Sequence, residues 1–212
     1  VKDIRRHVRV LNLYGDGTAI LDAEEDGEEE ADSSFAKDKS DSESDEDSGD
    51  AKDSRQEDWK DIVGGVDANM IRNTISLMDQ DYVTEVDYRK VGLGALNAIR
   101  ILVDTPEAVK SFPDLADEAR RNQFIAALNQ AAAVMEKKDR LDQIDLQTAY
   151  NSILRSSMVT VRIPVEVLSV EFAEGMLDEL DRFSSMIWPY DLEDFRKQTM
   201  GKFYGVGIQI GK

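Results

Sequence analysis

The 212-residue chain carries 44 acidic and 26 basic side chains, a formal net charge of −18, with one histidine and no cysteine. A polyanion repels phosphates, which argues against nucleic-acid binding. The lack of cysteine removes disulfides, thiolate nucleophiles and Cys-based zinc sites, and His7 alone supplies neither a His pair for a metal nor a Ser–His arrangement. No metal or cofactor is therefore expected, and no catalytic residue is identified within these residues. No apolar run approaches the ~20 residues needed to span a bilayer. The first residue is Val1 rather than Met, so an upstream signal peptide or anchor would lie outside this sequence.

The start, residues 1–21, reads two ways. Val8, Val10 and Leu13, then Ala19 and Leu21, flank Gly15-Asp16-Gly17 as in a hairpin. Val1, Ile4 and Val8 fit a helix turn equally well, or the end of a preceding region. The acidic excess comes next. Residues 22–58 hold 18 acidic and 4 basic side chains, net −14, which leaves the rest of the chain at −4. With Phe35 as its only aromatic residue, the segment 22–53 has too little apolar surface to offset an ordering cost of about 1–2 kcal/mol per residue, and it is predicted to be a disordered linker. Asp22, Glu24, Asp26 and Gly27 mimic the opening of an EF-hand loop, but Ser33 stands where the twelfth ligand should be Glu, so a solvated charge run is the better reading.

Helical patterning begins at Ser54-Arg55-Gln56-Glu57, a capping-box sequence. Trp59, Ile62, Val63 and Val66 follow at helical spacing. Gly64-Gly65 should break that helix before Asp67 starts another, with Met70, Ile71, Thr74, Ile75, Met78 and Tyr82 on one face. Asp87 can cap a helix carrying Tyr88, Val91, Ala95, Ile99 and Leu102. Thr105-Pro106 predicts a short helix, and a long one is expected over residues 114–138 with Leu115, Phe124, Leu128, Ala131 and Met135 inward. Asp145 opens a further helix through Leu146, Ala149, Tyr150, Ile153 and Leu154. Val159, Val161 and Ile163 alternate with Thr160 and Arg162 as in a short extended piece. Pro164 begins a helix through Val165, Leu168, Phe172, Met176 and Leu180 that ends near Asp181. Tyr82, Leu96, Leu128 and Leu180 are expected in the core.

The final stretch has a fixed order of pieces. A polar corner, Asp181-Arg182-Phe183-Ser184-Ser185, precedes Trp188-Pro189, where the proline disfavours α conformation at Trp188. Asp191 can cap a short helix through Phe195, Arg196 and Gln198. Lys202-Phe203-Tyr204-Gly205-Val206-Gly207-Ile208-Gln209-Ile210 then reads as a Gly-punctuated strand with nothing after it to pair with, so the sequence is expected to stop inside a domain. Gly205 and Gly207 fit an ordinary strand in which glycine merely permits a bend. Ser184 and Ser185 read as residues that turn the backbone, since serine readily bonds neighbouring N–H groups.

This order resembles the carboxyl-terminal processing (tail-specific) serine peptidases. There a helical region ends in a motif like L-D-P-H-S, and a segment like F-x-G-I-G-I opens a PDZ domain. The counterparts here are Leu180-Asp181-Arg182-Phe183-Ser184, in which Arg182 and Phe183 replace the common Pro and His, and Phe203-Tyr204-Gly205-Val206-Gly207-Ile208. The run DQDYVTEVDYRKVGLGALNAI is similar to the opening of the same family. The resemblance is best over residues 165–212, fair over 70–103 and absent over 1–58. It implies that Gly205, Val206, Gly207 and Ile208 form the peptide-carboxylate loop of the PDZ domain, and that a Ser–Lys pair in a later domain does the cutting. The fold expected is mainly α: an irregular helical bundle over 54–200, a disordered acidic segment over 22–53, and in 201–212 a terminal strand belonging to an incomplete PDZ domain.

By that resemblance, the chain is the scaffold and substrate-presenting region of a tail-specific endopeptidase. Its partners are protein substrates held through their C-terminal tails, with self-association as a further expectation, and its location is extracytoplasmic or periplasmic. A non-enzymatic helical interaction module with an acidic tail is the competing reading.

Overall fold

The computed structural model describes residues 2–15, 58–181 and 183–200. Eight α-helices occur among them: α1 (Lys2–Tyr14), α2 (Trp59–Ile62), α3 (Ala68–Asp81), α4 (Tyr88–Asp104), α5 (Glu118–Lys137), α6 (Gln143–Val159), α7 (Val165–Leu177) and α8 (Leu192–Met200). Two 3-10 turns, Pro106–Val109 and Pro113–Ala116, join α4 to α5. No strand occurs among the described residues, and no helix there is long and apolar enough to cross a membrane. The acidic segment 22–53 and the strand expected at 201–212 lie outside the described residues.

Local sequence sets most of the helix boundaries. Asp58, Asp67, Asp87, Asp117 and Asp142 each cap the helix that follows, the side-chain oxygen accepting a first-turn backbone N–H that has no helical partner. Asp142 and Asp145 form a reciprocal capping box. Gly65, at φ 78°, provides the left-handed residue that turns the chain between α2 and α3.

At the centre, α4 crosses α7. The α7 sequence is apolar on nearly every side, from Val167 through Leu177, and such a helix has to be buried all round. α3 and α6 pack beside α7, and α5 packs beside α4 and α6. α1 lies over α4 and the first 3-10 turn. Tyr150 on α6 stacks obliquely on Phe172 of α7, with ring centres 4.9 Å apart, and its hydroxyl shares a 2.6 Å hydrogen bond with Ser169 Oγ. A second aromatic group, Tyr14, Trp59 and Phe112, brings α1, α2 and the turn region together.

Several expectations need correction. Of the two readings of residues 1–21, the hairpin fails over the described part: residues 2–14 form a helix, with Arg6, Val10 and Tyr14 buried on one face. The long helix starts at Glu118 rather than 114, because Asp117 caps it and Pro113–Ala116 forms a separate turn. Thr105 does not cap the turn that follows; its hydroxyl bonds back to the Ile101 carbonyl, a local alternative open to threonine. Residues 159–163 are not extended. Val159 ends α6 and is exposed while Thr160 is buried, against the expected alternation. The turn that follows buries Val161 and Ile163 while Arg162 sits at φ 49° and reaches Asp114 through two hydrogen bonds of 2.5 and 2.7 Å. Leu96 and Leu128 are buried as expected, but Tyr82 and Leu180 are only half-buried, because they line an open groove.

Candidate functional site: the far turns of α7 and the corner beyond

α7 is apolar except for a few carboxylates. Glu171, Glu174, Asp178 and Glu179 recur at helical spacing near its C-terminal end, so they share one side of the helix. α1 carries Lys2, Arg6 and Arg9 at the matching i, i+4, i+7 spacing. The two sets meet. Lys2 Nζ lies 2.9 Å from Glu179 Oε2 and donates to the Asp178 carbonyl. Arg6, itself buried, contacts Asp178 at 3.0 Å and Glu179 at 3.2 Å, and donates to the Gly175 carbonyl. From α4, Lys90 donates to the Glu179 carbonyl. Three cations thus satisfy carbonyls at the end of α7 that have no helical partner and oppose the negative end of its dipole.

Deeper along the same side lies Glu171, which is 1% exposed. Its Oε1 accepts the Tyr14 hydroxyl at 2.9 Å, and its Oε2 faces Arg9 at 3.3 Å. Burial raises the Glu171 pKa, with Arg9 and Tyr14 acting against it. Burial disfavours the Arg9 cation, yet Glu171 and the neighbouring carboxylates outweigh that and hold its pKa above the ordinary value. The pair is lopsided: Arg9 gains from it, and Glu171 carries the desolvation cost. Burial, then the charge of Glu171, pushes the Tyr14 hydroxyl well above its usual range, so it stays a donor.

The chain then leaves α7 through the corner at Asp181. The Asp181 carboxylate accepts the Phe183 and Ser184 backbone N–H groups at 2.7 and 3.1 Å and the Ser184 hydroxyl at 3.1 Å. Those bonds, the Phe183 N–H first and the Tyr82 hydroxyl among them, lower its pKa. Ser184 therefore turns the backbone, as its sequence context suggests, and its proton is directed at a carboxylate already held in a turn. Beyond it, Trp188 is nearly buried and donates its indole N–H to Glu174 Oε1 at 2.7 Å. Pro189 lies against Gly65 in the α2–α3 turn.

Beside the corner opens a groove of about 480 Å³, lined by Leu77, Met78, Tyr82, Leu177, Met186 and Ile187 among others. Leu77 is 56% exposed and Ile187 41%. Among the described residues no group of His, Cys, Asp or Glu side chains could hold a metal ion. His7 Nδ1 sits 3.2 Å from Thr105 Oγ1, which is a structural contact with the chain just after α4. The arrangement is suited to holding chain segments in place.

Gly205, Val206, Gly207 and Ile208 lie outside the described residues. The α1–α7 clamp was missed by sequence reasoning, although its signal was present: basic residues at i, i+4 and i+7 in 2–9 match the carboxylates of 171–179. Comparison with family models, curated proteins and solved structures returned no match to this chain.

Proposed function

We propose that this chain is the N-terminal scaffold and substrate-presenting region of a carboxyl-terminal processing serine endopeptidase. Its PDZ domain opens at residues 201–212, and its Ser–Lys catalytic domain follows Lys212. The observation that carries this reading is the order of pieces at the end of the sequence: a helix, Leu180-Asp181-Arg182-Phe183-Ser184, a short helix, then Phe203-Tyr204-Gly205-Val206-Gly207-Ile208. Two features support it. The Asp181 turn changes the direction of the chain at the position where the family's motif stands, and the corner after it packs back on α7 through Trp188. The corner then borders an apolar groove, a surface suited to extended apolar chain. In this reading the helical part supplies no catalytic group. Gly205, Val206, Gly207 and Ile208 receive the carboxylate of a substrate tail through backbone N–H groups, and the adjoining strand edge pairs with the tail. An extracytoplasmic location belongs to the same proposal.

The test is the sequence encoded after Lys212. A PDZ-length segment followed by a domain with a serine and a downstream lysine is expected, and the whole protein should digest a substrate with a free apolar C-terminus far faster than its amidated form. A stop codon directly after Lys212 would overturn the reading in favour of a non-enzymatic interaction module.

A further inference from the structure

Glu171 and Glu174 stand one turn apart on α7, and each is held by an element from outside the central helix pair. Both Glu171 oxygens are engaged from α1, by Tyr14 and Arg9. Glu174 Oε1 is engaged from the exit corner, by the Trp188 indole N–H at 2.7 Å. The charge of Glu174 also acts on Arg9, Tyr14 and Glu171, so the two carboxylates and the cation form one electrostatic group. The N-terminal helix and the corner that follows α7 are therefore seated on the same turn of the same helix.

Hydrogen bonds and ion pairs strengthen as water is excluded from around them. With α1 seated, Glu171 is sealed and its neighbour Glu174 is shielded on that side. When α1 leaves, water enters to solvate Glu171, and it competes with the Trp188 indole for Glu174. The reverse holds as well: Arg9 is already 32% exposed, and once Trp188 leaves, water also reaches Glu174, one turn from the Glu171 carboxylate that Arg9 pairs with. Shared exclusion of water gives the two seatings a favourable coupling, which must be reciprocal.

We propose that α1 is a releasable strap whose seating on α7 is coupled, through the Glu171–Glu174 turn, to the placement of the Trp188–Pro189 corner. α1 is the element that opens because the close α4–α7 crossing does not include it and long side chains make its contacts with α7. Its seat is also imperfect, since Asn12 Oδ1 is buried without a hydrogen-bond partner among the described residues. The coupling stands without the peptidase reading. If that reading also holds, the corner is the exit toward the next module, and α1 occupancy reaches that module through Trp188.

The chain has two tryptophans, so Trp59→Phe in the 212-residue protein leaves Trp188 as the sole reporter. In that background the graded series Lys2→Ala, Arg6→Met and Arg9→Met loosens α1 from its far end toward the shared turn. Hydrogen exchange of residues 2–14 measures opening, and acrylamide quenching measures exposure of Trp188. The expected result is that both rise together across the series, and that Trp188→Phe in the otherwise native chain speeds exchange in 2–14 by on the order of fivefold. Core amides of α4 should stay protected; a variant that loses them has lost the fold, and Lys2→Ala, at the exposed end of α1, then serves as the comparison. Faster exchange in α1 with unchanged Trp188 quenching, or unchanged α1 exchange in Trp188→Phe, would overturn the proposal.

Discussion

Gly94 on α4 and Gly175 on α7 meet backbone to backbone. A Cβ on Gly175 would stand 2.5 Å from the Gly94 carbonyl oxygen and 2.6 Å from the Ala98 Cβ. Neither neighbour can move without shifting a helix, so the pair fixes how closely the two central helices approach. Gly175→Ala should cost about 3 kcal/mol, the upper end for overpacking, and lower Tm by roughly 6–12 °C. Gly92→Ala is the control. Its Cβ would meet the thioether end of Met135 and, at 3.3 Å, Leu146 Cδ1, both ends of flexible side chains rather than backbone, and the helix gains roughly 1 kcal/mol of propensity. Thermal unfolding of the two variants should separate them clearly; equal losses would show that the crossing is not set by the glycine pair.

The buried Glu171 predicts an unusual pH profile. Its folded pKa is raised from the ordinary 4.5, so between that value and the folded value the native state holds more proton than the unfolded chain. The contribution of this group to stability is therefore fully present below pH 4.5 and is lost as pH rises through the folded pKa. Glu171→Gln cannot titrate. Urea unfolding between pH about 4.5 and 7 should show the natural protein gaining on the variant as pH falls through that window. Parallel profiles would mean that Arg9 and Tyr14 fully offset the burial of the carboxylate.

Asp181 tests the corner. Asparagine keeps an oxygen that can accept the Phe183 and Ser184 N–H groups, whereas alanine does not. Limited proteolysis after residue 180 should be nearly unchanged in Asp181→Asn and clearly faster in Asp181→Ala. The Asp181 pKa is lowered, so its contribution is present above the ordinary carboxylate value and is lost as pH falls through the folded pKa. Acidification of the natural protein should thus weaken the turn no further than Asp181→Asn does, because a protonated carboxyl, like the amide, keeps a carbonyl oxygen that accepts the two N–H groups. Equal cleavage of all three proteins at neutral pH would remove Asp181 as the organiser of this turn.

How much of this could be read in advance depended on whether the cause was local. Asp67 and Asp87 cap their helices as the sequence suggests, because a cap involves only the next three residues. Leu96 and Leu128 lie inward because helical spacing alone puts them on a buried face. The failures were non-local. Tyr82 and Leu180 carry the same periodic signal, yet only the open packing of α3 against the corner decides that they border a groove. Val161 and Ile163 alternate in burial without being a strand, since Asp114, far along the chain, holds Arg162 outward. The α1–α7 clamp joins residues more than 160 positions apart, and nothing within residues 2–14 names its partner. For the proposed carboxylate loop, Gly205, Val206, Gly207 and Ile208, the sequence remains the source of the reading.

Arg6 and Lys2 both bind Glu179, but from different solvent environments, and this separates their contributions. Arg6 is 6% exposed and spends its donors on Asp178, Glu179 and the Gly175 carbonyl, whereas the Lys2 side chain is 50% exposed. Arg6→Met keeps most of the aliphatic stem packed while removing the guanidinium, so its cost reports the polar contacts: about 2 kcal/mol, below the full value for a buried pair because Asp178 is half in water. Lys2→Ala should cost no more than about 0.5 kcal/mol. Salt distinguishes them further. At 1 M NaCl, where the screening length is about 3 Å, the loss from Lys2→Ala should vanish and that from Arg6→Met should largely persist. Urea unfolding of both variants at low and high salt checks this; if the Arg6→Met loss also disappears in salt, Arg6 acts as a surface charge and α1 is held by its apolar face alone.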